Sequence, residues 1–297
     1  MKKILSGLSA VLILAAGMTL PSRADVTIDF ENAQGYTAGS TIVGVDDSGL
    51  PGTKTWTNLF NTTASSMVVS SGTGIGGTQS LRLNDTYSST SSAALGTAVD
   101  LASSSSVFSS TFKMTFSLAV TNPGGSGNVA QVYLGYNGVA AGTQRYWMGL
   151  TMGVDGTLTL ITDSISGVGT ANFSLGNYAT YANAGQYVNF ELVIDPTTKT
   201  YTNVAVSGSL TSANFTSTLS ASSTNHNGGI PYLSGNATPA ALAYNLDLVA
   251  GGLSTGTVDF DNFSLSTVPE PTTFGLVLLS VGALVARGTA RRRTARG

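Results

Sequence analysis

From residue 112 to 120 every second position is apolar: Phe112, Met114, Phe116, Leu118 and Val120 share one parity, and Lys113, Thr115, Ser117 and Ala119 the other. Successive side chains of a strand point to opposite faces, so such a run buries one face and wets the other. The pattern predicts a β-strand, and it recurs along the chain. Residues 187–195 place Val188, Phe190, Leu192 and Ile194 on one parity, Val26, Ile28 and Phe30 do so near the start, and Leu158 and Leu160 repeat it. Further strands are predicted at 80–85, 129–136, 145–152, 201–206, 242–249 and 258–265. Turn chemistry separates them, in Asn122-Pro123-Gly124-Gly125, Val154-Asp155-Gly156 and Asp195-Pro196-Thr197-Thr198. Each combines residues that pre-set or tolerate turn dihedrals.

Ser and Thr make up 68 of the 243 residues from Asp25 to Thr267, a bias that on composition alone suggests a disordered chain. The recurring period of two argues against disorder. Thr favours strands, Ser and Gly favour turns, and long runs of helix formers are missing. Many short strands without a fixed repeat predict an all-β fold, an antiparallel β-sandwich, rather than a solenoid or propeller. The chain has no cysteine. Its core must therefore hold without disulfides, and thiol catalysis or cysteine-ligated metal is excluded.

Both ends read differently from the middle. Lys2 and Lys3 precede a mostly apolar run, 4–20, and Ser22-Arg23-Ala24 puts small residues where a signal peptidase reads. This order predicts a signal peptide over 1–24, with the mature chain starting at Asp25. At the other end Val268-Pro269-Glu270-Pro271 precedes fifteen uncharged residues, Thr272 to Ala286, and then Arg287, Arg291, Arg292, Arg293 and Arg296. As a helix those fifteen residues span about 22 Å, short of a ~30 Å hydrocarbon core. Bilayer thinning and snorkelling of Arg287 close the gap, so a C-terminal transmembrane helix is predicted. The arginines stay cytoplasmic, which leaves everything before Pro269 outside the inner membrane. The expected organisation is a signal peptide at 1–24, an ectodomain at 25–267 and a C-terminal segment at 268–297.

Charge follows the same division. Between Asp25 and Pro271 only Lys54, Arg82, Lys113, Arg145 and Lys199 face all fifteen acids, a formal charge of −10. Such a domain repels nucleic acid and anionic headgroups, and no nucleic-acid partner is expected.

Candidate catalytic groups are sparse. His226 is the only histidine and lies in a Ser/Thr/Asn/Gly stretch. It cannot build a multi-histidine metal site, and no Gly-x-Ser-x-Gly elbow accompanies it as a triad would require. Glycoside hydrolysis needs two carboxylates across the bond, yet Glu31, Glu191 and Glu270 are the only glutamates, and Glu270 belongs to the tail. Gln131-Val132-Tyr133 has tyrosine where an alginate-lyase strand would carry histidine. The expectation is a protein that is not an enzyme.

Sugars are held by aromatic faces combined with amide and carboxylate hydrogen bonds. Tyr133 and Trp147 are the candidate ligand-binding residues, with Tyr146, Tyr136, Trp56 and Tyr87 as further aromatics, each of which could instead fill the core. Val132 and Leu134 take the core face of their strand, so Tyr133 and Gln131 are expected to point the other way.

The last predicted strand carries Val258 and Phe260 on one parity, and Phe263 and Leu265 on the other. A period of two cannot bury all four without an extra residue, which predicts a β-bulge near Asp261-Asn262. Asp259 and Asp261 alternate with that apolar set, as Asp29 and Glu31 do near the first strand.

Val268-Pro269-Glu270-Pro271, the short apolar span and the Arg cluster resemble the PEP-CTERM sorting signal. The resemblance covers the last thirty or so residues, with the main Arg cluster slightly delayed by 283–289. It implies recognition of Pro269, Glu270 and Pro271 by an exosortase, removal of the tail, and release or attachment at the surface of a Gram-negative-type, exopolysaccharide-making bacterium. Signal peptidase and exosortase are the processing partners so implied, with the inner membrane a transient one. The middle of the chain, 187–195 with Tyr201 and 204–208, is similar to concanavalin A-like (laminin-G and lectin) jelly rolls. Ile28-Asp29-Phe30-Glu31 and 258–265 also resemble carbohydrate-binding sandwiches with a structural calcium. Terminal strands usually pair in jelly rolls, which would gather Asp29, Glu31, Asp259 and Asp261 as calcium donors. Two function classes follow: a non-catalytic glycan- or exopolysaccharide-binding protein of the cell surface or extracellular matrix, or a structural, adhesive biofilm component without a defined ligand.

Overall fold

The computed structural model describes residues 26–48, 50, 54–59, 67–86, 94–101, 106–135, 147–163, 170–222, 226–227, 230–231, 244–251 and 253–268. The signal-peptide and sorting-tail readings, and Tyr87, Tyr136 and Tyr146, lie outside the described residues. Among the described residues no helix is long and apolar enough to cross a membrane.

In chain order the strands begin with β1 (Val26–Ile28), β2 (Asp46–Asp47), β3 (Lys54–Thr55), β4 (Thr57–Asn58), β5 (Met67–Ser71), β6 (Gln79–Asp85) and β7 (Ala94–Asp100). Next come β8 (Phe112–Gly125), β9 (Asn128–Leu134), β10 (Met148–Gly153), β11 (Thr157–Asp163) and β12 (Thr170–Asn177), then the one-turn helix α1 (Tyr178–Tyr181). They are followed by β13 (Val188–Asp195), β14 (Thr200–Ser207), β15 (Ser212–Asn214) and the helix α2 (Thr216–Ala221). Two short strands, β16 (His226–Asn227) and β17 (Ile230–Pro231), precede β18 (Asn245–Gly251) and β19 (Ser254–Thr267).

Two antiparallel sheets hold most of these strands. The first runs β15-β14-β13-β8-β19-β6-β5, with β1 added to the end of β19. The second runs β12-β11-β10-β9-β18-β7-β4. Hairpin neighbours such as β9 to β12 and β13 to β15 follow one another in sequence. By contrast, β19 joins β6 and β8, and β18 joins β7 and β9, across long stretches of chain, so neither sheet is complete until these two late strands are in place.

Alternation explains the core. Met114, Phe116, Leu118 and Val120 of β8 and Val188, Phe190, Leu192 and Ile194 of β13 turn inward from the first sheet. Val132, Leu134, Leu150, Leu160, Leu246 and Leu248 meet them from the second, in one continuous apolar cluster. Each such side chain contributes about 1.5–3 kcal/mol by leaving water. The stack of Phe116 on Phe190, with centroids 4.9 Å apart, joins the two strands where their register aligns.

The expected bulge is present: the pairing of β19 with β8 shifts between Asp261 and Ser264. The extra residue restores the parity of Phe263 and Leu265, both of which are buried. One expected turn is corrected. Asn122-Pro123-Gly124-Gly125 lies inside β8, because Gly124 and Gly125 pair with Thr255 and Ser254 of the long strand β19. The chain reverses after Gly125 instead, where Gly125 and Gly127 take φ of 82° and 87°. Strands β5, β7 and β12 escaped sequence reading, since alternation in them is short or masked by small residues.

Candidate functional site

On β9 the side chains alternate as expected, with Val132 and Leu134 buried and Tyr133 and Gln131 half-buried on the outer face of the second sheet. Tyr133 lies between Gly149 of β10 and Asp247 of β18 in the register. Gly149 makes room for the ring: a Cβ there would stand 3.2 Å from Tyr133 Cδ1 and 3.1 Å from Ile161 Cδ1. The Tyr133 hydroxyl donates to Gln131 Oε1 at 2.8 Å, which fixes both polar ends on that face. Thr151, opposite Gln131, extends the polar strip across β10.

Asp247 is the residue the sequence reading missed. It is only 3% exposed, and among the described residues its Oδ1 has no hydrogen-bond partner. Burial pushes its carboxyl up to about 7, since the charged form is poorly solvated there. The signal was present in Leu246-Asp247-Leu248, one acid inside an apolar strand and on the parity opposite its leucines.

Trp147 corrects an expectation. Its side chain is fully buried, stacked on Phe108 at 5.5 Å and edge-on to Phe112 at 5.6 Å, so it has no free face for a ligand. The reason is local: β10 starts at Met148, and Trp147 just before it is not bound to the strand's alternation. Trp56 is likewise a core residue, its Nε1 donating to the Tyr36 hydroxyl at 2.8 Å while that hydroxyl donates to buried Asp47 at 2.7 Å.

The terminal strands pair, Val26 opposite Leu265 and Ile28 opposite Phe263. The four carboxylates nevertheless do not form the expected calcium set. Asp259 is bound in bidentate fashion by Arg82, Nε to Oδ1 at 2.8 Å and an Nη to Oδ2 at 2.9 Å. Those hydrogen bonds raise the guanidinium's pKa. Asp261 accepts the Ile75 and Asn262 amides, each at 2.8 Å. Burial first, then the nearby Glu31 and Asp29 charges, raise its carboxyl to about 6 against those two amides. Glu31 accepts the Gln79 amide at 2.8 Å, and Asp29 accepts the Glu31 amide at 3.1 Å. Among the described residues no three His, Cys, Asp or Glu side chains are grouped to hold a metal ion. A guanidinium and backbone amides are the donors that engage these four carboxylates.

His226 pairs with Pro231 in the small β16–β17 ladder. Glu191 lies across the first sheet, its Oε2 3.7 Å from Lys113 Nζ, and Glu31 sits at the terminal-strand junction.

No protein-family model matches the chain, and no curated protein matches it by sequence. Several solved structures align with it. The carbohydrate esterase of Shiga toxin-encoding bacteriophage phi24B does so over 72% of this chain and 90% of its own, at 12% identity and TM-score 0.43. The PL-14 alginate lyase from Aplysia kurodai covers 69% and 88%, at 13% identity and TM-score 0.41. The binding domain of Botulinum Neurotoxin DC, solved with SialylT, covers 87% of this chain and 52% of its own, at 8% identity and TM-score 0.44. Likeness at this level transfers no activity to this chain.

Proposed function

We propose that this is an exported, non-catalytic glycan-binding protein of the bacterial surface or matrix, built on a concanavalin A-like jelly roll. The observation that carries the binding reading is Tyr133. It is an aromatic held on an outer sheet face beside the Gln131 amide and opposite a buried carboxylate with an unfilled acceptor. An aromatic platform edged by an amide and hydroxyls suits a sugar ring, whose faces are apolar and whose rim is polar. Export and sorting rest on the sequence of the two ends. A signal peptide at 1–24 would deliver the domain across the inner membrane, and Pro269-Glu270-Pro271 with the following helix would hold it there for exosortase.

A glycan array of the full-length protein tests the binding reading. Tyr133→Ala should abolish the strongest signals without lowering the melting temperature by more than a few degrees. Retention of every signal in that variant would refute the assignment of this face. Intact mass of the exported form tests the sorting reading, and it should lack Arg291, Arg292 and Arg293.

A further inference from the structure

A shallow cavity of about 400 Å³ opens on the outer face of the first sheet, on the other side of the sandwich from Tyr133. Thr115, Ser117, Asn189, Glu191, Ser207 and Asn262 line it. Phe116, Phe190 and Ala205 contribute as well. Phe116, Phe190 and Ser117 are nearly buried, at 3%, 2% and 4% exposed, so a ligand meets chiefly Thr115, Asn189, Glu191, Ser207 and Asn262 around a small apolar floor.

These groups are held in place before any ligand arrives. Ser117 Oγ donates to Asn189 Oδ1 at 2.7 Å, and among the described residues the Asn189 amide donors have no partner. Glu191 Oε1 accepts from Asn203 Nδ2 at 3.0 Å, and Asn203 Oδ1 accepts from Asn214 at 2.7 Å. Thr115 and Ser264 hydroxyls meet at 2.7 Å. This ladder runs from β19 to β15 and keeps side-chain ordering entropy out of a binding event.

Asn262 stands apart within it. It is the inserted residue of the β19 bulge and holds a left-handed backbone, φ 50°. Strain of this kind in a non-glycine residue persists only where the surroundings hold it, and it clusters at binding sites. Among the described residues its side-chain amide has no hydrogen-bond partner, while its backbone amide is fixed by Asp261. The bulge therefore presents an exposed, unengaged amide at the cavity wall.

We propose that this cavity is a second glycan site, one that takes a segment of an uncharged polysaccharide. Its volume falls in the ~300–1,000 Å³ range of small-molecule sites. Amides and hydroxyls supply donors and acceptors side by side, the complement of neighbouring sugar hydroxyls. Lys113 and Glu191 offset one another at its edge. The stretch from Asp25 to Pro271, at formal charge −10, repels uronate or sulfated chains. The proposal rests on the glycan reading for its ligand class and not for its location.

Isothermal titration of the full-length protein with cellohexaose, maltohexaose, an N-acetylglucosamine hexamer and polygalacturonate tests it. At least one uncharged probe should bind, and Asn189→Ala combined with Asn262→Gly should weaken that binding tenfold or more. Glycine accepts the left-handed backbone, so Asn262→Gly removes the amide while keeping the bulge. Affinity within twofold of wild type in the double variant overturns the proposal. Binding of polygalacturonate alone, or of no probe, overturns the ligand class. Loss of binding in Tyr133→Ala alone overturns this site and leaves the Tyr133 reading standing; loss in the asparagine pair alone does the reverse.

Discussion

Individual side chains decide more here than their residue type suggests. Tyr36, Asp47 and Trp56 form a buried chain of hydrogen bonds beneath Phe30. Burial raises the Tyr36 pKa, so the phenol stays protonated and donates to Asp47. Tyr36→Phe removes that donor and leaves the Trp56 N–H without its acceptor. It should cost about 1–3 kcal/mol, read as a lowered urea midpoint at unchanged m-value. None of this was visible in the sequence, because the partners lie 11 and 20 residues apart with no periodic relation. Tyr133 was legible because alternation along β9 assigns its face from two flanking core residues. Trp147 was not, because it stands one residue outside a strand, where alternation no longer applies.

At the scale of elements, what the sequence told best was parity. The bulge in β19 follows from the mismatch of Phe260 and Phe263, and the structure places it between Asp261 and Ser264. Turn chemistry was a weaker guide. Asp195 caps its hairpin, Oδ1 accepting the Thr197 amide at 2.8 Å and Oδ2 the Thr198 hydroxyl at 2.8 Å, as Asp-Pro-Thr-Thr promised. Asn122-Pro123-Gly124-Gly125 instead continues as strand, since β19 offers fourteen residues for pairing and β8 lengthens to meet it. The bulge also yields a stability prediction. Asn262→Gly relieves the left-handed strain but adds the backbone entropy of glycine, terms of about 1–3 and 0.5–1 kcal/mol respectively. The melting temperature should therefore hold or rise slightly; a fall of several degrees would show that the Asn262 side chain supports the fold.

For the molecule as a whole, buried carboxyls shape the response to pH, and among the described residues Asp247 and Asp261 are two whose pKa is raised. Asp247 and Asp261 hold their protons to about 7 and about 6, against 3.8 for the unperturbed group, burial being the main cause in both. A group with a raised folded pKa contributes stability that is intact below the unfolded pKa and lost as pH rises through the folded one. The protein should thus melt at a higher temperature at pH 5 than at pH 8. Asp247→Asn should flatten much of that slope by keeping the neutral shape. A steeper slope, or a melting temperature that climbs from pH 5 to pH 8, would contradict the assignment. The all-β architecture was legible from the period of two, but the order of strands was not: the pairing of β8 with β19 joins segments about 140 residues apart, and such contacts leave no local mark. That pairing has a mechanical side. β19 is flanked by β8 along one side, and by β6 and then β1 along the other. A pull on the chain beyond Thr267 is delivered along the axis of this interior strand, so its ladder bonds are loaded in shear and must fail together. Had the chain left from the rim of a sheet, the same pull would open it bond by bond, like a zipper. The exit point makes the last strand the tension member of the domain.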